Sequence, residues 1–226
     1  MEWWQAIILG LVEGITEYLP ISSTGHLLVV QRLLGIEQST AADAFAICIQ
    51  AGAIVAVLGL YANRVGQMCR GLAGRDRDGL RLALNLGIAF APAAVAGLLL
   101  EAPIKRYLFG GDQWGLWPVV AAWLAGGLAI LVVAYARRGG EARRSGLEIE
   151  SLTWKLALVI GAAQCIAMWP GVSRSLVTIV GGVLIGLRLP SAVEFSFLLG
   201  VLPLGAATAY DGIRHGAAML DRLGAG

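Results

Sequence analysis

Four apolar segments, each long enough to cross a bilayer, constrain the fold of this chain most strongly. They occupy residues 44–62, 82–100, 115–136 and 192–210. A transmembrane helix needs about 20 consecutive apolar residues, and these runs are continuous rather than alternating. Only 14% of the residues are charged, whereas soluble domains carry about 25%. The sequence therefore predicts an all-α integral membrane protein, a helical bundle with about four full transmembrane spans. The formal net charge of +2 is too small to indicate a nucleic-acid partner.

A further apolar stretch, residues 3–34, is interrupted by Pro20. As one straight helix it would run about 48 Å, well beyond a hydrocarbon core of about 30 Å. We therefore predict a re-entrant hairpin of two half-helices, whose irregular backbone at 20–23 lines a protein-walled cavity. Residues 153–189 repeat the pattern with a break at Trp169-Pro170-Gly171, which predicts a second re-entrant hairpin.

The distribution of arginine predicts how the two hairpins are oriented. The connections 63–81 and 137–152 are rich in arginine, whereas the connection 101–114 has only two basic residues, Lys105 and Arg106. By the positive-inside rule the two arginine-rich connections are cytoplasmic, so the hairpins should enter from opposite faces. We expect one membrane domain with an inverted-topology repeat, 1–150 and a shortened 151–226, and a site near the midplane. The alternative is two helices that merely share proline kinks. The opening Met-Glu-Trp-Trp lacks the features of a removable signal peptide.

Glu13 and Glu17 are the carboxylates of the first hairpin. Their i, i+4 spacing places both on one face of a helix, where they would repel each other unless a proton or a cation lies between them. A hard divalent ion such as Mg²⁺ binds oxygen ligands of this kind and bridges them to substrate phosphates. The alternative is a carboxylate pair that is protonated or satisfied by hydrogen bonds.

The hydroxyl, imidazole and guanidinium groups near the two breaks complete a phosphoryl-transfer set. Ser22 or Ser23 can cap the second half-helix, whose N-terminus would bind an anion. Ser23 and His26 are three residues apart, so the imidazole could accept the hydroxyl proton of a serine nucleophile. Arg174 carries a fork of donors that matches phosphate oxygens. Its alternative role is to reach a membrane interface.

At these residues the chain resembles the undecaprenyl pyrophosphate phosphatases of the bacitracin-resistance type. The resemblance covers about residues 5–212, in order. It rests on four segments: Glu13-x-x-x-Glu17 running into Leu19-Pro20-Ile21-Ser22-Ser23-Thr24-Gly25-His26, then Ile49-Gln50-Ala51-Gly52-Ala53-Ile54, then Pro170-Gly171-Val172-Ser173-Arg174-Ser175 with Thr178, and Phe195-Ser196-Phe197-Leu198-Leu199.

The resemblance implies an inner-membrane hydrolase that removes the terminal phosphate of a polyprenyl diphosphate on the periplasmic side, recycling the carrier lipid for cell-wall synthesis. It implies Mg²⁺, or else Ca²⁺, as the cofactor. Carried over by motif, the site residues are Glu13 and Glu17 with the metal, Ser23 as nucleophile, His26 as base, Arg174 on the phosphate, and Ser22, Thr24, Ser173, Ser175 and Thr178 as supporting ligands.

The chain departs from the family pattern in two places. The family is expected to continue for two more membrane helices after the span 192–210, so we expect a C-terminally shortened member. Leu176 stands where the family usually has glycine. The competing functions are a polyprenyl-phosphate translocator, which would have no need of Ser23 with His26, and an inactive truncated paralogue. Attack by Ser23 and attack by metal-activated water both stay open, as does a homodimer.

Overall fold

The structure is a computed structural model that describes residues 2–36, 40–104, 117–136 and 146–223, and most of these residues are helical. In these ranges the α-helices are α1 (Trp3–Thr16), α2 (Ser23–Leu33), α3 (Thr40–Leu60), α4 (Ala62–Leu72), α5 (Arg77–Ile104), α6 (Trp117–Ala136), α7 (Trp154–Gln164), α8 (Arg174–Leu184) and α9 (Leu189–Leu223). Short 3₁₀ turns occupy Ile149–Ser151 and Cys165–Met168.

Three helices are long and apolar enough to cross a membrane. The qualifying segments are Arg77–Leu100 in α5, Trp117–Ala136, which is α6, and Leu189–Ala209 in α9. Residues 48–60 of α3 and the whole of α4 pass the same test together as a pair bent by 81°, which gives a fourth span if the pair counts as one. The chain is thus a multi-pass, all-α membrane protein, as the sequence predicts.

Both predicted hairpins are present. Helices α1 and α2 pack against each other and are separated by the non-helical residues 17–22. Helix α7 runs into the turn Cys165–Met168, and α8 begins at Arg174 after a second break. Each arm is too short to cross a bilayer alone, since about 20 residues are needed. The entry of the two hairpins from opposite faces stays a prediction.

The connection 63–81, which we expected to be a loop, contains a helix and the start of another. Helix α4 occupies Ala62–Leu72 and α5 begins at Arg77. The sequence pattern accounts for the error, because α4 is amphipathic: its apolar residues Val65 and Met68 pack on the core, while its arginines make the segment resemble a loop. At the start of α5, the N–H of Gly79 donates to Asp76 Oδ1 at 2.9 Å, which lowers the pKa of that carboxyl.

The residues that follow the predicted span 192–210 are also helical, up to Leu223. Helix α9 continues from Leu189 to Leu223 and contains Pro203. Residues with a high helix propensity follow the span, among them Ala217, Ala218 and Leu220. The helix therefore continues beyond the end of the hydrophobic segment. The predicted connection 101–114 is described only to Ile104, and that at 137–152 only from Gly146; the remaining parts lie outside the described residues.

The core lies where the second hairpin packs against α5 and α9. Its fully buried side chains include Ile160 of α7, Phe195 and Leu199 of α9, and Leu152. Helices α5 and α7 are in very close contact at Gly161. A Cβ built on this glycine would lie only 2.2 Å from the carbonyl oxygen of Ala89. Small residues permit such close contact between membrane helices. The second hairpin therefore packs closely against α5.

Asn85 of α5 fixes the entry of the second hairpin. It is buried, and its Nδ2 donates to the carbonyl oxygen of Leu152 at 2.8 Å. We predict that Asn85→Leu lowers the free energy of unfolding in detergent by about 1–3 kcal/mol, because the buried carbonyl loses its donor. The exposed Asn63 supplies the control, Asn63→Leu, which should unfold like the wild type. Equal unfolding of both variants in a thermal or denaturant titration would contradict this role.

Candidate active site

The two breaks meet at an ion pair between the hairpins. Arg174, the first residue of α8, donates through Nη2 to Glu17 Oε1, which lies just after α1. Beside it, Ser175 Oγ donates to the carbonyl oxygen of Leu19 at 3.3 Å. The structure therefore brings together Glu17 and Arg174, which are 157 residues apart in sequence and which sequence analysis assigned to one site.

The hydroxyl of Ser23 belongs to the same cluster. Ser23 Oγ donates to the second carboxylate oxygen of Glu17, Oε2, at 2.5 Å. The expected partner was His26, and here the structure differs, because Nδ1 of His26 lies 2.8 Å from the carbonyl oxygen of Ser22. Spacing alone could not distinguish these pairings, since the first hairpin's break folds Glu17 back over the N-terminus of α2. Glu17 is thus placed to accept the proton of Ser23.

His26 supports a strained backbone at the break. Ser22 has φ +70°, a conformation that residues other than glycine seldom adopt and that often marks functional sites. Its side chain caps α2 by accepting from the N–H of Gly25 at 3.4 Å. The carbonyl oxygen of Ser22 in turn accepts a hydrogen bond from Nδ1 of His26. The imidazole also lies against the Trp123 ring, with centroids 4.7 Å apart.

A chain of hydroxyls organises the first turn of α8. Ser173 Oγ caps the helix by accepting from the N–H of Leu176 at 3.2 Å and lies 2.9 Å from Ser175 Oγ. Thr178 is fully buried; its hydroxyl donates to the carbonyl oxygen of Arg174 at 2.9 Å and lies 2.6 Å from Ser196 Oγ. These contacts fix the first turn of α8, and the assignment of Thr178 to the phosphate stays a prediction. Of the other predicted ligands, Ser173 and Ser175 lie where the second break meets α8, and Thr24 is exposed at the start of α2.

Glu13 is the residue that fits a cation. It is 1% exposed, and neither of its carboxylate oxygens has a hydrogen-bond partner among the described residues. A buried carboxylate of this kind is costly unless it is paired or binds a metal. The described residues contain no cluster of three or more His, Cys, Asp or Glu side chains. Glu13 with Glu17 would therefore need phosphate and water oxygens to complete the shell of a Mg²⁺ or Ca²⁺ ion.

Three residues that sequence analysis did not single out line the cavity beside the ion pair. Tyr18 donates to the carbonyl oxygen of Ala53, and its ring packs on Phe197 at 5.5 Å. Ser196 holds Thr178, as described above. Gly200 of α9 admits the guanidinium, since a Cβ there would lie 2.0 Å from Arg174 Nη1. The cavity's lining includes residues from all three helices that enclose it, α3, α8 and α9: Ala53, Ile54, Val57, Arg174, Ser196, Phe197 and Gly200.

Besides Arg174, four of the lining residues had a sequence signal. Ala53 and Ile54 lie in the segment 49–54, and Ser196 and Phe197 lie in the segment 195–199; both segments carried the family resemblance without an assigned role. The structure accounts for both segments, because each lines the cavity that contains Glu17 and Arg174. Gly200 had no such signal, since a glycine in a glycine-rich membrane helix is unremarkable until its neighbour is known.

Comparison with known proteins identifies close relatives. Residues 6–224 match the family model described as bacitracin resistance protein BacA. An undecaprenyl-diphosphatase of Sorangium cellulosum is 47% identical over 99% of this chain and 71% of its own length. Those of Nitrosomonas europaea and Neisseria gonorrhoeae are both 44% identical, over 95% and 93% of this chain and 76% and 74% of their own lengths.

Proposed function

The chain belongs to the bacitracin resistance protein family, and from that premise we propose that it hydrolyses undecaprenyl diphosphate to the monophosphate and inorganic phosphate. The observation that supports this most directly is the contact between the hairpins, where Glu17 bonds both Arg174 and Ser23. It combines a hydroxyl, an acceptor for its proton and a cation. Arg174 Nη1 is buried and has no partner in the described part of the chain, so it can donate to a phosphate oxygen.

The reaction follows from these contacts. Ser23 Oγ attacks the terminal phosphorus as Glu17 accepts its proton, and the bond from that phosphorus to the bridging oxygen breaks. The lipid monophosphate leaves with the bridging oxygen, and water then cleaves the phosphoserine to release inorganic phosphate. Arg174 neutralises the charge that spreads over the equatorial oxygens. Removing one such donor from a site that excludes water lowers kcat by about 10²–10³-fold.

A divalent cation, Mg²⁺ or else Ca²⁺, completes the proposal. Glu13 and Glu17 would hold it, since Glu13 is buried and its two oxygens have no partner in the described ranges. The ion would supply charge neutralisation at the phosphate oxygens. We place the reaction on the periplasmic side of the inner membrane, because the arginine-rich connections orient the first hairpin outward. In that location the product would re-enter cell-wall synthesis. A homodimer stays a prediction.

The function is tested by measuring inorganic phosphate released from undecaprenyl diphosphate by the purified protein in detergent with Mg²⁺. We expect turnover that disappears in Glu17→Ala. The same protein is reconstituted into vesicles and assayed for lipid movement across the bilayer. Lipid movement without phosphate release would overturn hydrolysis in favour of a translocator. Neither activity would support an inactive paralogue.

The variant Ser23→Ala distinguishes attack by the Ser23 hydroxyl from attack by water. If Ser23 is the nucleophile, we predict a loss of at least about 10³-fold in kcat, because no other hydroxyl of the described residues is seen to bond Glu17. Acid quenching during wild-type turnover should then trap phosphate on Ser23, which peptide mass spectrometry detects. A loss of less than about tenfold, without trapped phosphate, would assign the attack to water and leave Ser23 as a phosphate ligand. Ser151→Ala, at an exposed serine outside the site, is the matched control.

A further inference from the structure

A groove lies between the first turns of α5 and α7, at the end of α7 that is opposite to the second break. This α5–α7 groove shares no residue with the candidate active site. Its lining contains three cations, Arg77 and Arg81 of α5 and Lys155 of α7, and no acidic side chain among the described residues. The remaining lining residues are Leu80, Leu84, Asn85, Ile88, Thr153 and Trp154.

The three cations of the groove have no ion pair within the described part of the chain. Arg81 also borders a polar cleft that contains Asp78 and Glu150, without a salt bridge to either. Arg77 and Arg81 are four residues apart, so they lie on one helix face, where like charges repel each other. Lys155 adds a third positive charge from the opposite wall. An anion bound among the three would relieve this repulsion.

Along α5 the groove changes from charged to apolar. Leu84 and Ile88 follow Arg81 by three and seven residues, and Ile88 lies about 10 Å further along the helix. The membrane-spanning segment of α5 begins at the charged end, so the apolar end extends into the hydrocarbon layer. Trp154 is exposed, with Lys155 Nζ 5.7 Å from its ring centroid, and tryptophan favours the membrane interface. This order of groups matches a phospholipid, which has a charged headgroup above acyl chains.

Contacts within the chain fix the two walls of the groove relative to each other. Asn85 of α5 donates to the carbonyl oxygen of Leu152, next to the start of α7. Further along, α5 and α7 pack closely at Gly161 and Ala89. Thr153 caps α7 by accepting from the N–H of its first turn at 3.4 Å. A groove with walls fixed in this way loses little entropy on binding a ligand.

We propose that the α5–α7 groove binds an anionic phospholipid of the cytoplasmic leaflet. The connections 63–81 and 137–152, which precede α5 and α7, are those that the positive-inside rule assigns to the cytoplasm. Basic pockets between membrane helices on that side bind anionic headgroups. The lipid phosphate lies among the three cations, and one acyl chain follows Leu84 and Ile88. The bound lipid links the starts of α5 and α7 and so stabilises the second hairpin, whatever reaction the active site catalyses.

The proposal is tested by thermal unfolding of the purified protein in a neutral detergent. Saturating phosphatidylglycerol should raise Tm by about 5 °C or more, whereas phosphatidylcholine with the same acyl chains should change it by less than about 1 °C. The double variant Arg81→Gln with Lys155→Gln should lose most of this shift, measured from its own Tm without lipid. The double variant Arg70→Gln with Arg75→Gln is the matched control, because it removes the same charge from exposed residues outside the groove. It should keep the wild-type shift.

Lipid binding is also counted directly, by native mass spectrometry during a titration with phosphatidylglycerol. The Kd should rise by at least about tenfold in Arg81→Gln with Lys155→Gln, and the conservative pair Arg81→Lys with Lys155→Arg should restore it. Equal losses in the groove variant and the control variant would assign the effect to net charge and overturn the site. An equal Tm shift from phosphatidylcholine, or from inorganic phosphate alone, would overturn the assignment to an anionic lipid.

Discussion

Replacing Arg174 with alanine should reduce kcat/KM for undecaprenyl diphosphate by at least about 10³-fold. Arg174 lies at the junction of the hairpins, where its Nη2 bonds Glu17; its buried Nη1 has no partner among the described residues and can donate to a phosphate oxygen. Its loss removes the charge that faces the equatorial oxygens and leaves Glu17 without its ionic partner. A buried charge left unpaired in this way is strongly unfavourable. Phosphate release under conditions of low substrate measures the effect.

Arg188→Ala is the control for this variant. Arg188 forms an ion pair with Glu148 at 3.0 Å, at a more exposed position before α9. Its removal should change kcat/KM by less than about twofold, because exposed ion pairs contribute little. If Arg174→Ala and Arg188→Ala lost activity equally, the loss would reflect general damage to the fold, and the assignment of Arg174 to phosphate would be wrong.

Replacing Gly200 with alanine should reduce kcat/KM by about 10²-fold, although Gly200 takes no part in the chemistry. The added Cβ would lie 2.0 Å from Nη1 and 2.8 Å from Cζ of Arg174, so the guanidinium must move away from its present position. A shift of about 1 Å in a positioned group can cost about 10² in rate. Helix α9 itself tolerates alanine, which is a better helix former than glycine.

Gly205→Ala provides the comparison on the same helix. A Cβ at Gly205 meets nothing within 4 Å, so this variant should keep wild-type activity and equal or higher thermal stability. Wild-type kcat/KM in Gly200→Ala would show that the guanidinium does not need this space. A collapse of the fold in Gly200→Ala, detected as lost thermal stability, would be distinguished from a shifted Arg174 by the double change Gly200→Ala with Arg174→Ala, which should restore stability without activity.

The two hairpins could be predicted from sequence because proline and polar residues inside an apolar run are tolerated in a membrane only where the broken backbone is enclosed by protein or lines a cavity. The same reasoning placed Glu17, Ser23 and Arg174 in one site, since broken helices at corresponding positions indicate a shared cavity. The ion pair across 157 residues is the structural form of that prediction. Helix α4 escaped prediction because its apolar residues Val65 and Met68 lie on the face that packs on the core, and a count of arginines does not record faces.

The pairing within the site could not be read from spacing. Ser23 and His26 are neighbours on one helix, but the hydroxyl bonds Glu17, which reaches it only through the fold of the break. Thr178 lies in the same motif as Arg174, yet it is buried and bonded to Ser196. The role of Gly200 depends on where the guanidinium lies. Each of these depends on contacts between helices that are distant in sequence.

The claim that one site is built from both hairpins is tested most directly by a double-mutant cycle on kcat/KM with Glu17→Asp and Arg174→Lys. Both conservative changes should leave measurable phosphate release. If the ion pair acts as a unit, the loss in the double variant should be smaller than the product of the single losses by about fivefold or more, a coupling of about 1 kcal/mol. A double variant whose loss equals that product would show that the two residues act independently and would contradict the account.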